Sequence, residues 1–103
     1  MIFTVLWTKE ASETFDGRIA YLQKHFSERE INIFKIRVEA YLNTLSQEPF
    51  IGKQTAKRKN VHIGLIIPPV SIVYRIKESS KRIELISFFD NRQDPKKLKK
   101  YTG

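Results

Sequence analysis

Ser27-Glu28-Arg29-Glu30 separates two runs of helical periodicity, and no other feature of the sequence limits the fold as much. A serine followed three residues later by glutamate is the signature of a capping box, in which two side chains satisfy amides that the first helical turn leaves unpaired. It predicts a helix starting at Glu28. Upstream, Ala11, Phe15, Ile19, Leu22 and Phe26 recur at steps of four, four, three and four, one apolar stripe of an α-helix. Thr8 is the expected N-cap of that helix, with Glu10 in the first turn where the helix dipole favours an anion. Gly17 lies inside the run, costs about 1 kcal/mol relative to alanine, and marks a place for a kink. Downstream, Ile31, Phe34, Val38, Tyr41 or Leu42, and Leu45 make a second stripe. Two helices joined by one capping residue double back as a hairpin. Each then needs an apolar surface to cover its stripe, which a sheet supplies.

The rest of the chain provides that sheet. Residues 2–7 are β-prone. Gln47 to Asn60 breaks periodicity around Pro49 and Gly52 and carries Lys53, Lys57, Arg58 and Lys59, so it is expected to be a basic connector loop. Val61, Ile63, Leu65 and Ile67 alternate with His62, Gly64 and Ile66 until Pro68-Pro69 ends the strand. Val70, Ile72, Tyr74 and Ile76 form the next alternating set, and 77–81 is the turn after it. Ile83, Leu85, Ile86, Phe88 and Phe89 belong to a last strand that becomes apolar on both faces, as a central strand does. Asp94-Pro95 starts a short helix, with aspartate as N-cap and proline at the first helical position. Its body is too short and too cationic to be stable alone, so it must dock or fray. The expected class is α+β: an antiparallel-rich sheet in the order β-α-α-β-β-β, the helical hairpin on one face, and a short C-terminal helix or tail.

A chain of 103 residues holds one domain. There is no cysteine, hence no disulfide framework and no thiolate chemistry. The apolar start is too short to span a bilayer and lacks the charged leader of a signal peptide, so the expectation is a cytoplasmic protein with no membrane role. The net charge of +8 favours a polyanionic partner: nucleic acid, a ribosome or an acidic protein. Neither His25 nor His62 has a ligand partner at metal spacing, so no metal site is expected. His62 is expected on the polar side of its strand. The glycines are isolated, with no phosphate-cradling loop, and no cofactor is expected. Trp7, Phe15, Phe26, Phe34 and Phe88 are expected in the core.

Several marks occur in a telling order: Trp7-Thr8 before a helix containing Ala11; Leu45, Pro49 and Gly52 before a basic stretch; Val73-Tyr74-Arg75-Ile76; and Ile83 through Phe89 running into Asp90-Asn91-Arg92-Gln93-Asp94-Pro95. In this order the chain resembles the RelE/ParE superfamily of toxins from bacterial type II toxin–antitoxin (plasmid-stabilisation-like) systems. The resemblance covers nearly the whole chain, as a single toxin domain. It implies a cognate acidic antitoxin, in a hetero-oligomer with it, and a macromolecular target: DNA gyrase in the ParE-like branch, mRNA on the ribosome in the RelE-like branch. The endonuclease branch needs a base for the 2′-hydroxyl, cations for the phosphate and an acid for the leaving oxygen. It places them on the sheet and at the end of the last strand, where this chain has Phe88, Phe89, Asp90 and Asn91. The set looks incomplete, which favours the ParE-like branch, acting by binding. The cations that remain for target or antitoxin are Lys57, Arg58, Lys59, Arg75, Arg92, Lys96, Lys97 and Lys100. A ribonuclease would rely on Lys53, Lys57, Arg58 and Arg75. A non-toxic basic domain that binds nucleic acid is the third reading.

Overall fold

The structure, a computed structural model, describes residues 2–55 and 58–102. In chain order it contains β1 (Thr4–Trp7), α1 (Lys9–His25), α2 (Glu28–Gln47), a 3₁₀ turn (Pro49–Ile51), β2 (Lys53–Gln54), β3 (Val61–Ile67), β4 (Val70–Lys77), a second 3₁₀ turn (Glu78–Ser80), β5 (Arg82–Asp90) and α3 (Pro95–Thr102). The strands form one sheet in the order β1-β5-β4-β3-β2. β1 runs parallel to β5 and every other pairing is antiparallel. This is the expected α+β architecture, with one more short strand than the sequence suggested.

The helices start where the capping residues require. Thr8 Oγ1 accepts from the Ala11 amide at 3.1 Å and donates to the Leu85 carbonyl at 2.7 Å, so the cap of α1 is also a bolt to β5. At the start of α2 the Ser27 amide donates to Glu30 Oε2 at 3.1 Å, the reach-back that a capping box needs. The Ser27 hydroxyl turns to the same carboxylate. α1 passes through Gly17 as one helix.

The two stripes meet the sheet as anticipated. Ala11, Leu22, Phe34, Val38 and Leu45 form one cluster with Ile72, Tyr74, Ile76, Ile83, Leu85 and Phe88. Burying one such aliphatic or aromatic side chain contributes about 1.5–3 kcal/mol, and truncating a fully buried one such as Leu45 to alanine costs about 2–5 kcal/mol. Two rings expected inside lie at the margin instead: Trp7 is 41% and Phe26 52% exposed. Trp7 sits on an edge strand, and Phe26 is the extended C-cap of α1, off the helical stripe.

β5 carries a bulge. Tyr74 pairs with Leu85 but Val73 pairs with Ser87, so Ile86 is an extra residue. The insertion lets Leu85 and Phe88 both face the hairpin. Two threonines of the first helix and its cap attend to the interrupted ladder. Thr14 Oγ1 accepts from the Phe88 amide at 2.9 Å, and Thr8 Oγ1 lies 3.4 Å from the Ile86 carbonyl.

The connector between α2 and β3 is more ordered than the sequence suggested. The Tyr74 hydroxyl donates to the Pro49 carbonyl and accepts from the Gly52 amide, both at 2.9 Å. This clamp brings the connector to the sheet margin, where Lys53 and Gln54 pair with Ile63 and His62.

Candidate functional site

The face of the sheet turned away from the hairpin is where the candidate cations gather. β4 alternates, so Val70, Ile72, Tyr74 and Ile76 meet the helices while Ser71, Val73, Arg75 and Lys77 point the other way. Directly paired residues share a face, which adds Glu84, Ser87 and Phe89 from β5, Val61, Ile63 and Leu65 from β3, and Lys53 from β2.

α3 lies on part of this outer face. Its Leu98 and Tyr101 pack on Val61, Ile63, Val73 and Phe89, a second, smaller cluster. Asp94 Oδ1 accepts from the Lys97 amide at 3.1 Å, the expected cap. Of the two outcomes its composition left open, docking or fraying, the short helix docks. Tyr101 stacks on Phe89 with ring centroids 6.4 Å apart. The Arg58 guanidinium and the Lys100 ammonium each lie 5.6 Å from the Tyr101 ring centre, distances at which ring and cation attract. Lys97 Nζ is 2.5 Å from Ser87 Oγ, 3.3 Å from Glu10 Oε2 and 5.6 Å from the Phe89 ring centre. It ties α3 to both α1 and β5.

Beside α3 the outer face is charged. Arg75 Nη1 lies 3.4 Å and Lys77 Nζ 3.3 Å from the carboxylate of Glu84. Arg75 is therefore partly neutralised and still half-exposed. Lys77 was not singled out from the sequence, although its alternation with Arg75 places the two on one face.

The candidate cations thus divide. Arg58, Lys97 and Lys100 come together around α3, and Lys53 and Arg75 lie on the same sheet face. Lys59 and Lys96 are exposed near its ends. Lys57 lies outside the described residues. Arg92 is elsewhere: its side chain lines an apolar groove with Leu22, Phe26, Ile33 and Pro69, at the tip of the hairpin. It is 75% exposed and 3.8 Å from Asp90.

Acid–base groups are sparse on the outer face. Asp90, at the end of β5, points toward α1. Burial disfavours its charge, but the Arg92 and Gln93 amides and the Arg18 guanidinium outweigh that and hold its carboxyl below the ordinary aspartate range. Ser71 donates to Asn91 Oδ1 at 2.8 Å. His62, expected at the surface, is buried on the hairpin side, where Tyr74 stacks on it. The strand is apolar in both phases, so alternation alone did not fix its orientation. Gly64 does: the Tyr41 hydroxyl occupies the space a side chain would take there. Among the described residues no three His, Cys, Asp or Glu side chains gather as a metal-binding group. No helix of the described residues is long and apolar enough to cross a membrane.

No protein-family model matches the sequence. No curated protein matches it either. Solved structures do match. A chain of the chromosomal ParDE toxin–antitoxin system of P. aeruginosa superposes with a TM-score of 0.68 at 16% identity, covering 86% of this chain and 96% of that one. A variant of the E. coli toxin RelE in the free state gives 0.66 at 10% identity, covering 99% and 95%. A chain of the RelBE2 toxin–antitoxin complex of Mycobacterium tuberculosis gives 0.63 at 18% identity, covering 87% and 99%. At such identities the likeness is one of fold, and the fold of this chain is that of the RelE/ParE toxins. Both the RelE and the ParE types are among its structural neighbours.

Proposed function

We propose that the chain is the toxin of a bacterial type II toxin–antitoxin pair, ParE-like in action: it inhibits growth by binding a macromolecular target such as DNA gyrase, and an acidic antitoxin holds it in check. The observation that carries this reading is the chemistry of the outer face. Cations frame it, at Lys53, Arg58, Arg75, Lys97 and Lys100; its carboxylate, Glu84, is held by Arg75 and Lys77, and two other proton-transfer groups face away from it. Asp90 turns inward to Arg18, and His62 is enclosed on the opposite face. A surface of this kind suits electrostatic docking better than acid–base cleavage. The +8 charge also fits an acidic antitoxin segment that folds as it binds.

The full-length likeness to a RelE toxin supports a second reading, an mRNA endonuclease on the ribosome that uses Lys53, Lys57, Arg58 and Arg75 as electrostatic groups. One experiment separates the two. The purified chain is added to gyrase supercoiling reactions, and its expression is followed in cells by mapping mRNA ends. Inhibition of supercoiling that is lost on deleting residues 92–103, without cuts in the ribosomal A site, is the expected outcome. Unaffected gyrase together with A-site cuts abolished by Arg75→Ala or Lys57→Ala would overturn the proposal in favour of the nuclease.

A further inference from the structure

His62 is 4% exposed, and its Nδ1 is buried without a hydrogen-bond partner. Its ring is held between two others. Tyr74 stacks on it at 5.7 Å and 19°, and Phe50 meets it edge-on at 5.8 Å and 74°. The elements packed around it bring Tyr74 from β4, Tyr41 from α2 through its contact with Tyr74, Gln54 across the ladder from β2, and the Asn60 backbone. None of the ion pairs among the described residues includes it. A neutral imidazole is tolerable in such a pocket. An imidazolium there would bury a charge and an N–H with no acceptor.

The same pocket is the root of the basic connector. Phe50, which covers the imidazole edge, is 57% exposed. The Tyr74 hydroxyl holds Pro49 and Gly52 beside it. Beyond Gly52 the Thr55 amide donates to the Val61 carbonyl at 2.9 Å, and Thr55 Oγ1 donates to the Arg58 carbonyl at 3.0 Å. Arg58 in turn lies over Tyr101. A continuous set of contacts therefore runs from the imidazole to the cations of the outer face.

We propose that His62 is a proton-operated latch: its protonation displaces Phe50, hydrates Nδ1 and releases the Pro49–Thr55 segment that positions Arg58. Burial pushes the imidazole below the ordinary histidine value, against a smaller opposing contribution from the Asn60 backbone. For a depressed histidine the closed form is fully favoured above the unfolded value of about 6.5 and is progressively lost as pH falls below it. The latch stands independently of which target the outer face takes.

The test uses the full chain. The two imidazole signals, His62 and the exposed His25, are followed by NMR from about pH 8 to about pH 5. In parallel, amide exchange is measured at Gly52, Thr55 and, as a core reference, Ile72, with intrinsic rates divided out. The expected result is a His62 midpoint below about 6.5, with protection of Gly52 and Thr55 falling by up to about tenfold per pH unit beneath that value while Ile72 holds. His62→Gln removes this pH dependence. Phe50→Ala raises the midpoint and lowers Gly52 protection already at neutral pH; it also serves if the glutamine variant does not fold. An ordinary His62 midpoint, flat protection at Gly52 and Thr55, or an equal fall at Ile72 would overturn the proposal.

Discussion

Arg18 Nη1 lies 2.9 Å from Asp90 Oδ2, an ion pair that joins the middle of the first helix to the last residue of β5. The other carboxylate oxygen accepts from the Arg92 amide at 2.8 Å and the Gln93 amide at 3.3 Å. One buried carboxylate therefore fixes α1, the end of β5 and the turn into α3. Its folded-state pKa is depressed, so the stability it provides is present above the unfolded aspartate value of about 3.9 and is lost as pH falls through the folded value. Asp90→Ala leaves Arg18 without its partner and should cost about 3–5 kcal/mol at neutral pH in urea denaturation. Asp90→Asn should flatten the acid limb of the stability curve. An asparagine variant with the acid sensitivity of the parent would contradict this.

The clamp at Tyr74 gives a ranking. Tyr74→Phe removes a buried hydroxyl that serves both the Pro49 carbonyl and the Gly52 amide, a loss of about 1–3 kcal/mol. Gly52→Ala should cost more, because its methyl would overlap Tyr74 Oη and sit 2.9 Å from the Ile63 carbonyl, which cannot move without the strand. At Gly64 the obstacle is only the end of the Tyr41 side chain, which can rotate away. Denaturation midpoints in the order Gly64→Ala above Gly52→Ala are expected, and the reverse order would refute the argument.

Gly17 offers a gain. Apart from the backbone of its own helix turn and its two chain neighbours, no atom lies within 4 Å of the place its Cβ would occupy. Alanine there recovers helix propensity and restricts the unfolded chain, so Gly17→Ala should raise stability by about 0.5–1 kcal/mol. A thermal midpoint at or below that of the parent would show that the helix needs the glycine.

The docking of α3 rests on few residues. Tyr101 is buried against Phe89, and Lys97 supplies the polar fastening. Tyr101→Ala should free the helix while leaving the main cluster folded. Trypsin should then cut between Lys96 and Lys100 at least about tenfold faster under native conditions, because a locally open segment is cut in proportion to its open population. Cutting at the parental rate would mean that the aromatic contact is dispensable.

The hairpin, the order of the main strands and both capped helix starts were legible in the sequence because each depends on local periodicity or on one capping side chain. What escaped depends on contacts distant in sequence. The strand at Lys53–Gln54 exists because a tyrosine on β4 holds the connector. The orientation of His62 escapes the sequence because β3 carries apolar residues in both phases; its pairing with Tyr74 and the fit of Tyr41 over Gly64 turn it to the hairpin side. Among the candidate cations, Arg58, Lys97 and Lys100 come together from segments distant in sequence, and Arg92 lies apart from them, since the chain turns at Asp90 and carries that side chain toward the hairpin tip. Trp7 is apolar by type but lies on an edge strand, and Phe26 keeps the helical spacing but is an extended cap residue, so both are left uncovered.

Ile86 resets the counting along β5. Before it, odd-numbered positions look inward; after it, even-numbered positions do, so Leu85 and Phe88 are neighbours on one surface although three apart. Any gap-free superposition of this segment on a regularly pleated strand would exchange the inward and outward sets from Ser87 to Asp90. Those four residues include Phe89, the platform for α3, and Asp90, the anchor of the turn, so an alignment through this strand has to allow for one extra residue at Ile86.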